Sequence, residues 1–332
     1  MEMKTALQLI QPDDIQNQSK NDGTMQKQLI LSAIMFAVLI PESVSQFFDT
    51  REELVFYTQE WNGERFEDGR PRVPDDILER MKRVSIEEAW GILRSRGYHN
   101  QFEGDWVILH ENQPVVGRAH TALYMPGRPE LMDRLTEKGQ QQGRMGAMNS
   151  WPIDALQHGD VYVADGFGKV VDGTLIGDNL GNAIFTNSGN GVVFDGGSRD
   201  MEGLSEIEGF NAFVKGFDPS YLMESMLMGI NVPIRIGKAT VLPGDVVLAK
   251  KTGVLFIPAH LAEEVVVRAE FIMLRDMFGH EMLKQGVYTP GQIDGRWTDE
   301  IKSAFLEWVE KNPEGLPMTR EALDAYLRDR TW

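Results

Sequence analysis

One stretch, Gly177 to Asp200 with the sequence GDNLGNAIFTNSGNGVVFDGGSRD, constrains this chain's fold more than any other. Glycines at 177 and 181 flank Asp178, Asn179 and Leu180, a composition suited to a turn that opens a helix, since glycine takes φ > 0 and Asp or Asn can cap. Leu180, Ala183 and Ile184, then Asn187 and Ser188, follow at helical spacing, and Gly189-Asn190-Gly191 is a stop signal. Val192-Val193-Phe194 is a short apolar run before a second glycine turn, which predicts a strand buried on both faces. Arg199 and Asp200 therefore arrive side by side just past a strand end, where α/β proteins tend to place ligand chemistry.

The pair's chemistry follows from its types. A guanidinium grips a carboxylate through two parallel hydrogen bonds, and an adjacent carboxylate can hold a hard divalent cation whose shell is completed by water. Together they suit an α-keto acid, with Arg199 on its carboxylate and a metal polarising its carbonyl. The competing reading is an ordinary surface ion pair, worth about 0–1 kcal/mol.

The stretch resembles the signature of the RraA-like family, which contains ribonuclease-activity regulators and 4-hydroxy-4-methyl-2-oxoglutarate aldolases. Gly177-Asp178, Ala183 and the run Ser188 to Asp200 fill that signature. Two more segments match in order: Val116-Gly117-Arg118-Ala119-His120-Thr121-Ala122, and Pro243-Gly244-Asp245-Val246-Val247 leading to Gly253-Val254 and Ile257-Pro258. The resemblance spans roughly residues 84–270. It implies an α/β fold with a swivelling β/β/α-type core, and trimers or hexamers with sites at subunit interfaces. The implied activity is a lyase dependent on Mg²⁺ or Mn²⁺, acting by retro-aldol cleavage of a 4-hydroxy-2-oxo acid or by decarboxylation of oxaloacetate. In that scheme Arg199 holds the substrate carboxylate, Asp200 anchors the metal, and Asp178 completes its water shell or orients a catalytic water. Backbone amides near Asn179, Leu180 and Gly181 hold the keto-acid oxygens.

Departures from the family are visible as well. Trp90 or Gly91 stands where an aspartate is frequent, which points to a changed pocket or a structural helix. Lys250 and Lys251 replace frequent acids, in keeping with an anionic substrate or a subunit contact. Asp165 and Asp172 are further candidate ligands.

Other chemistries are excluded by what the 332 residues contain. There are no cysteines, hence no thiolate metal site, cysteine nucleophile or disulfide. The six histidines form no HExxH pair, and P-loop, complete dinucleotide-binding and G-x-S-x-G patterns are missing. A net charge of −17 argues against nucleic acid as a partner.

Around the core the chain divides by composition. Residues 1–24 are polar and read as a disordered leader. Residues 25–45 read as a signal peptide, an apolar run too short to cross a bilayer, which takes about 20 residues. Met25 would then be the true start, and the mature protein secreted or periplasmic with no membrane segment. Residues 46–72 are rich in aromatics and acids, an ordered arm that packs on the core or offers a carbohydrate platform. Residues 73–285 form the core, with a capping box at Ser85 and Glu88, a strand over Gly159–Asp165 with alternating faces, a mobile loop over Gln140–Met148 and a helix over Ala262–Leu274. Residues 286–332 form a tail of two amphipathic helices capped by Thr298 and Thr319. Two other functions stay open: a non-catalytic protein-binding regulator, and a lyase acting on a sugar-derived keto substrate.

Overall fold

The structure, a computed structural model, describes residues 50–329; the leader and signal expected over 1–45, and the first residues of the arm, lie outside them. Helix α1 (Arg51–Tyr57) opens the arm with a capping box, in which the Thr50 hydroxyl accepts from the Glu53 amide and the Glu53 carboxylate accepts from the Thr50 amide. The arm is tied to the core by charge. Arg70 is fully buried and donates to Asp68 at 2.7 Å and to Asp160, itself fully buried, at 3.2 Å. Losing one member of such a buried pair strands the other, at a cost of about 3–5 kcal/mol.

Helices α2 (Asp75–Met81) and α3 (Ile86–Ser95) follow. The Ser85–Glu88 capping box is present as expected, and Ile86, Ala89, Ile92 and Leu93 turn one face inward. Trp90 lies on the opposite side, 41% exposed, with the Arg94 guanidinium 4.7 Å above its ring. That departure decorates a surface.

The main sheet has nine strands. Its first three in the chain are β1 (Phe102–Glu103), β2 (Val107–Ile108) and the twelve-residue β3 (Val115–Pro126). After helix α4 (Pro129–Gln141) come β4 (Asp160–Asp165), helix α5 (Asp178–Ser188), β5 (Val192–Asp195) and the two-residue β6 (Gly197–Ser198). Short helix α6 (Met201–Ser205) leads to β7 (Ala212–Val214), β8 (Gly216–Phe217), β9 (Ser225–Ile230), the hairpin β10 (Ile234–Ile236) and β11 (Ala239–Val241), and finally β12 (Val246–Lys250) and β13 (Gly253–Ile257). The order is β1-β13-β12-β3-β4-β5-β7-β2, with β9 also on β3. Strands β3, β4, β5 and β7 run parallel and the rest are antiparallel, so a parallel centre carries antiparallel edges.

Strand β3 is the sheet's spine. It pairs with β12 near its start, with β4 in the middle and with β9 at its end, where the register shifts between Leu123 and Tyr124. Its Arg118 is structural: the buried guanidinium donates twice to Asp75 and once to the His158 carbonyl, pinning the start of α2. Strand β4 corrects the expected alternation, since all six residues are buried. A parallel strand inside a sheet covered on both sides has no solvent face to alternate with.

Apolar side chains close both faces. Trp151, Tyr162, Ile184, Phe194 and Leu204 pack beneath α5. On that same face Ile77, Leu93, Leu248, Leu255 and Val265 pack under α2, α3 and α7 (Ala262–Lys284), while Val161, Val163, Val193, Val247 and Phe256 fill the opposite face against the β10–β11 hairpin. Helix α7 runs ten residues beyond the expected end at Leu274, because its far half is needed elsewhere. Phe271, Leu274 and Phe278 form a separate cluster with Trp297 and with Ile301, Phe305 and Leu323 of the tail. After α8 (Pro290–Asp294), Thr298 caps α9 (Asp299–Lys311) and Thr319 accepts from the Ala322 amide at the start of α10 (Arg320–Asp329). The tail helices thus pack on their own chain.

Candidate active site

The site is assembled by the loop before α5 and the segment after β5. Residues 174–176 lie alongside residues 197–199: the Leu175 amide donates to the Gly197 carbonyl at 2.9 Å, and the Arg199 amide to the Ile176 carbonyl at 3.0 Å. The Ser198 hydroxyl donates to the same Ile176 carbonyl at 3.1 Å. This lacing fixes where the Arg199 and Asp200 side chains leave the backbone. Asp200 takes the left-handed conformation, φ 55° and ψ 46°, which Asp and Asn tolerate better than other side chains.

Arg199 and Asp200 form an ion pair, Nη1 to Oδ2 at 2.8 Å, with both side chains about one-third exposed. They pack over Gly177. A Cβ at Gly177 would sit 3.0 Å from Arg199 Cζ and 3.1 Å from its Nε, and closer still to Asp200 Oδ2. The first glycine of the diagnostic stretch is therefore required by close approach, since its φ of −121° is open to any residue. A parallel contact joins Asp178 to α6, where a Cβ on Gly203 would meet the Asp178 Cβ at 2.8 Å. The two glycines bring Asp178, Arg199 and Asp200 to one corner.

Beside that corner is a cleft of about 190 Å³, lined by Asn149, Thr174, Ile176, Gly177, Leu180, Arg199, Tyr221 and Leu222 among others. Tyr221 stands with its ring centroid 5.1 Å from the Arg199 guanidinium carbon. Asn149 donates to the Leu175 carbonyl at 2.7 Å. Neither residue was singled out by the sequence, because each comes from a segment distant in the chain with no motif of its own. The one hint was the glycine-rich 140–148 stretch, of which Ala147 reaches the cleft wall. The first two residues of that stretch belong to the last turn of α4.

Helix α5 begins at Asp178, with Gly177 rather than an acidic side chain at the cap, and ends on Gly189 in the left-handed region, φ 67°. Of the three amides expected to face substrate, Gly181 already donates to the Gly177 carbonyl at 2.9 Å and Asn179 to the Asp178 carboxylate at 2.7 Å. The Leu180 amide, at the cleft wall, keeps its donor uncommitted among the described residues.

The structure leaves the other expected ligands outside this corner. Asp165 is buried at the end of β4, where it accepts from the Phe167 amide at 3.0 Å and burial pushes its carboxyl up. Asp172 sits in a turn at φ 57°, its carbonyl accepting from Met223 and Glu224. Lys251 pairs with Glu111 at 2.6 Å, and neither Lys250 nor Lys251 lines the cleft.

Among the described residues no three Asp, Glu, His or Cys side chains converge closely enough to hold a metal by themselves. The donor set does fit a hard, water-rich cation. Mg²⁺ and Mn²⁺ are commonly bound by one or two carboxylates, with waters and substrate oxygens supplying the rest. Asp200 presents such a carboxylate, with one oxygen paired to Arg199 and the other without a partner among the described residues.

Comparison with known proteins agrees with this architecture. The sequence model of the RraA-like family, described as Aldolase/RraA, matches residues 76–256, just over half of the chain. A Halalkalibacterium halodurans protein named "Putative 4-hydroxy-4-methyl-2-oxoglutarate aldolase" is 31% identical over 162 residues, covering 49% of this chain and 68% of its own length. Legionella pneumophila Protein DlpA is 27% identical over 176 residues, or 51% of this chain; the chain spans only a quarter of the DlpA length. Among solved structures, an uncharacterized protein from Pseudomonas syringae superposes with a TM-score of 0.57 at 22% identity, covering 70% of this chain and 99% of that one. Streptomyces coelicolor RraAS2, described as an unusual member of the RNase ES inhibitor RraA family, gives 0.51 at 25% identity, covering 66% and 97%.

Proposed function

This chain belongs to the RraA-like family, which includes aldolases and RraA regulators, and from that premise we propose that the Arg199 cleft is the active site of a divalent-metal-dependent carbon–carbon lyase. The substrate is a small 2-oxo acid, either a 4-hydroxy-2-oxo acid split by retro-aldol cleavage or oxaloacetate that loses carbon dioxide. The observation that carries the reading is the Arg199–Asp200 pair, held against Gly177 at the mouth of a cleft sized for a small molecule.

Each side chain has a task that its position supports. Arg199 receives the substrate carboxylate through its planar fork of donors, while Tyr221 and Asp200 keep the guanidinium in place from two sides. The Leu180 amide, at the N-terminus of α5, donates to a 2-oxo oxygen and brings the helix's partial positive charge with it. Asp200 holds the cation. A bound Mg²⁺ or Mn²⁺ supplies Lewis-acid stabilisation of the enolate oxygen that develops as the C–C bond breaks. Asp178 orients the water that exchanges the proton, in the retro-aldol case taking it from the 4-hydroxyl. Ile176, Leu180 and Leu222 exclude bulk solvent from the breaking bond, which strengthens every charge interaction there.

The surface around the cleft supports an assembled enzyme. Met145, Val171, Met201, Tyr221 and Met223 are exposed apolar side chains on segments that border it, with Tyr221 64% and Met145 81% exposed. Exposed apolar side chains on neighbouring segments favour an interface, and a homotrimer or homohexamer that closes the cleft would cover them. The exported location suggested by residues 25–45 is part of the same proposal, and would place a sugar-derived keto acid within reach.

Arg199→Ala is the direct test. The account expects loss of turnover by about 10²-fold or more, the scale for removing a preorganised charge partner, with the fold intact. Unchanged kinetics would remove Arg199 from the site.

A further inference from the structure

A second cavity, larger than the Arg199 cleft, stands apart from it. It lies where the arm meets the core, has a volume of about 560 Å³, and shares no lining residue with that cleft. A smaller chamber of about 200 Å³ adjoins it, sharing Glu60, Trp61, Ala259 and His260. The combined space is in the range of small-ligand sites, a few hundred Å³.

Three features of its wall converge. Val73, Ile77, Ala259 and Ala262 form an apolar floor, and the half-buried Trp61 packs against the same cluster. The rim carries carboxylates: Glu60, Asp76 and Glu263 have no ion pair among the described residues, while Glu64 pairs with Arg72 and Asp75 with Arg118. His260 adds no positive charge, because burial pushes its imidazole below the usual range. At the back of the smaller chamber Asp245 is 4% exposed. It accepts from the backbone amides of Leu242 and Ala259, yet has no cation within ion-pair distance. Without a counter-charge, burial holds this carboxyl up near neutrality, and a cation placed beside it would favour the ionised form.

A metal ion does not meet this pattern, since no three of these groups converge on one point. An extended cation does. Methylenes lie on the apolar floor, one ammonium meets Trp61 and the rim carboxylates, and another reaches Asp245 behind and draws it to its ionised form. We propose that the arm–core cavity is a binding site for a linear aliphatic polyamine, separate from the Arg199 cleft and independent of what that cleft does.

Spermidine titrated calorimetrically into the full-length protein at 0.15 M salt tests this. The expected result is saturable binding at one site per chain, weakened about 10-fold or more in Glu60→Gln/Glu263→Gln. Thermal stability and turnover at the Arg199 cleft should be unchanged in that variant, whose altered residues are exposed. Mg²⁺ at matched ionic strength should displace spermidine no better than Na⁺ does. Three outcomes would each overturn the proposal: no saturable binding to wild type, equal affinity in the variant, or displacement by Mg²⁺ that tracks charge alone and so marks a diffuse acidic surface.

Discussion

Gly177→Ala separates the site from the fold. The added methyl would stand 3.0 Å from Arg199 Cζ, 3.1 Å from Nε and nearer still to Asp200 Oδ2. Ordinary carbon–heteroatom contacts need roughly 3.5 Å or more, so both functional groups must move by several tenths of an ångström to about 1 Å. A misplacement of that size costs on the order of 10²-fold in rate when the groups must meet substrate in one geometry. Stability should barely change. Gly177 has φ −121° and ψ −166°, a conformation open to alanine, so the substitution gains about 0.4–1 kcal/mol from the unfolded chain. It loses at most the part-exposed Arg199–Asp200 pair, about 0–1 kcal/mol. The net change in urea unfolding, followed by tryptophan fluorescence, should stay within about 1 kcal/mol, while kcat/KM for the 2-oxo acid falls about 10²-fold. Activity within threefold of wild type would show that the corner is not the active site. A stability loss beyond about 3 kcal/mol would show that the close approach is structural.

Two further substitutions probe single carboxylates. Asp200→Asn should keep the fold, because Asn also accepts the left-handed backbone at φ 55°, and should lose activation by Mg²⁺; Asp200→Ala should unfold about 1 kcal/mol more easily. Activation at wild-type Mg²⁺ concentrations in the Asn variant would contradict the metal role. Burial pushes Asp245 up to about 7, from 3.8 in an open chain. Between these values the native state holds a proton that the unfolded state releases. Stability from this group therefore falls as pH rises, by about 1.4 kcal/mol per unit between roughly pH 4 and 7. Asp245→Asn should flatten that slope, and identical slopes in the two proteins would refute the assignment.

Much of this was legible in the chain because it rests on local chemistry. The α5 helix, its glycine stop, the buried strand β5 and the Arg199–Asp200 pair all come from contiguous residues whose types force the conformation. So do the capping box at Ser85 and the N-cap at Thr298, since a hydroxyl and its amide partner lie three residues apart. The cleft's other walls were not legible. Asn149 and Tyr221 reach it through long-range pairings, and no short window records which loops a sheet of mixed direction brings together. Helix α4 escaped notice because its apolar face is short: Leu131, Met132 and Leu135 pack half-buried on the core, and polar or charged residues make up most of the rest. The extra ten residues of α7 were hidden for the opposite reason: one end packs on the sheet and the other on the tail, so no single apolar stripe runs its length. Arg118 reads as part of a family motif, yet only the fold shows that it serves α2 rather than a ligand.

The central claim is that the Arg199 corner breaks a carbon–carbon bond with the help of a divalent cation. It is tested most directly by pyruvate release from oxaloacetate and from a 4-hydroxy-2-oxo acid, with Mg²⁺ or Mn²⁺ and then with chelator, on protein beginning at Gln46. The account predicts pyruvate from at least one of the two substrates, abolished by chelator and restored by the metal. A folded protein that yields no pyruvate from either, with neither metal, would contradict it and favour the protein-binding regulator.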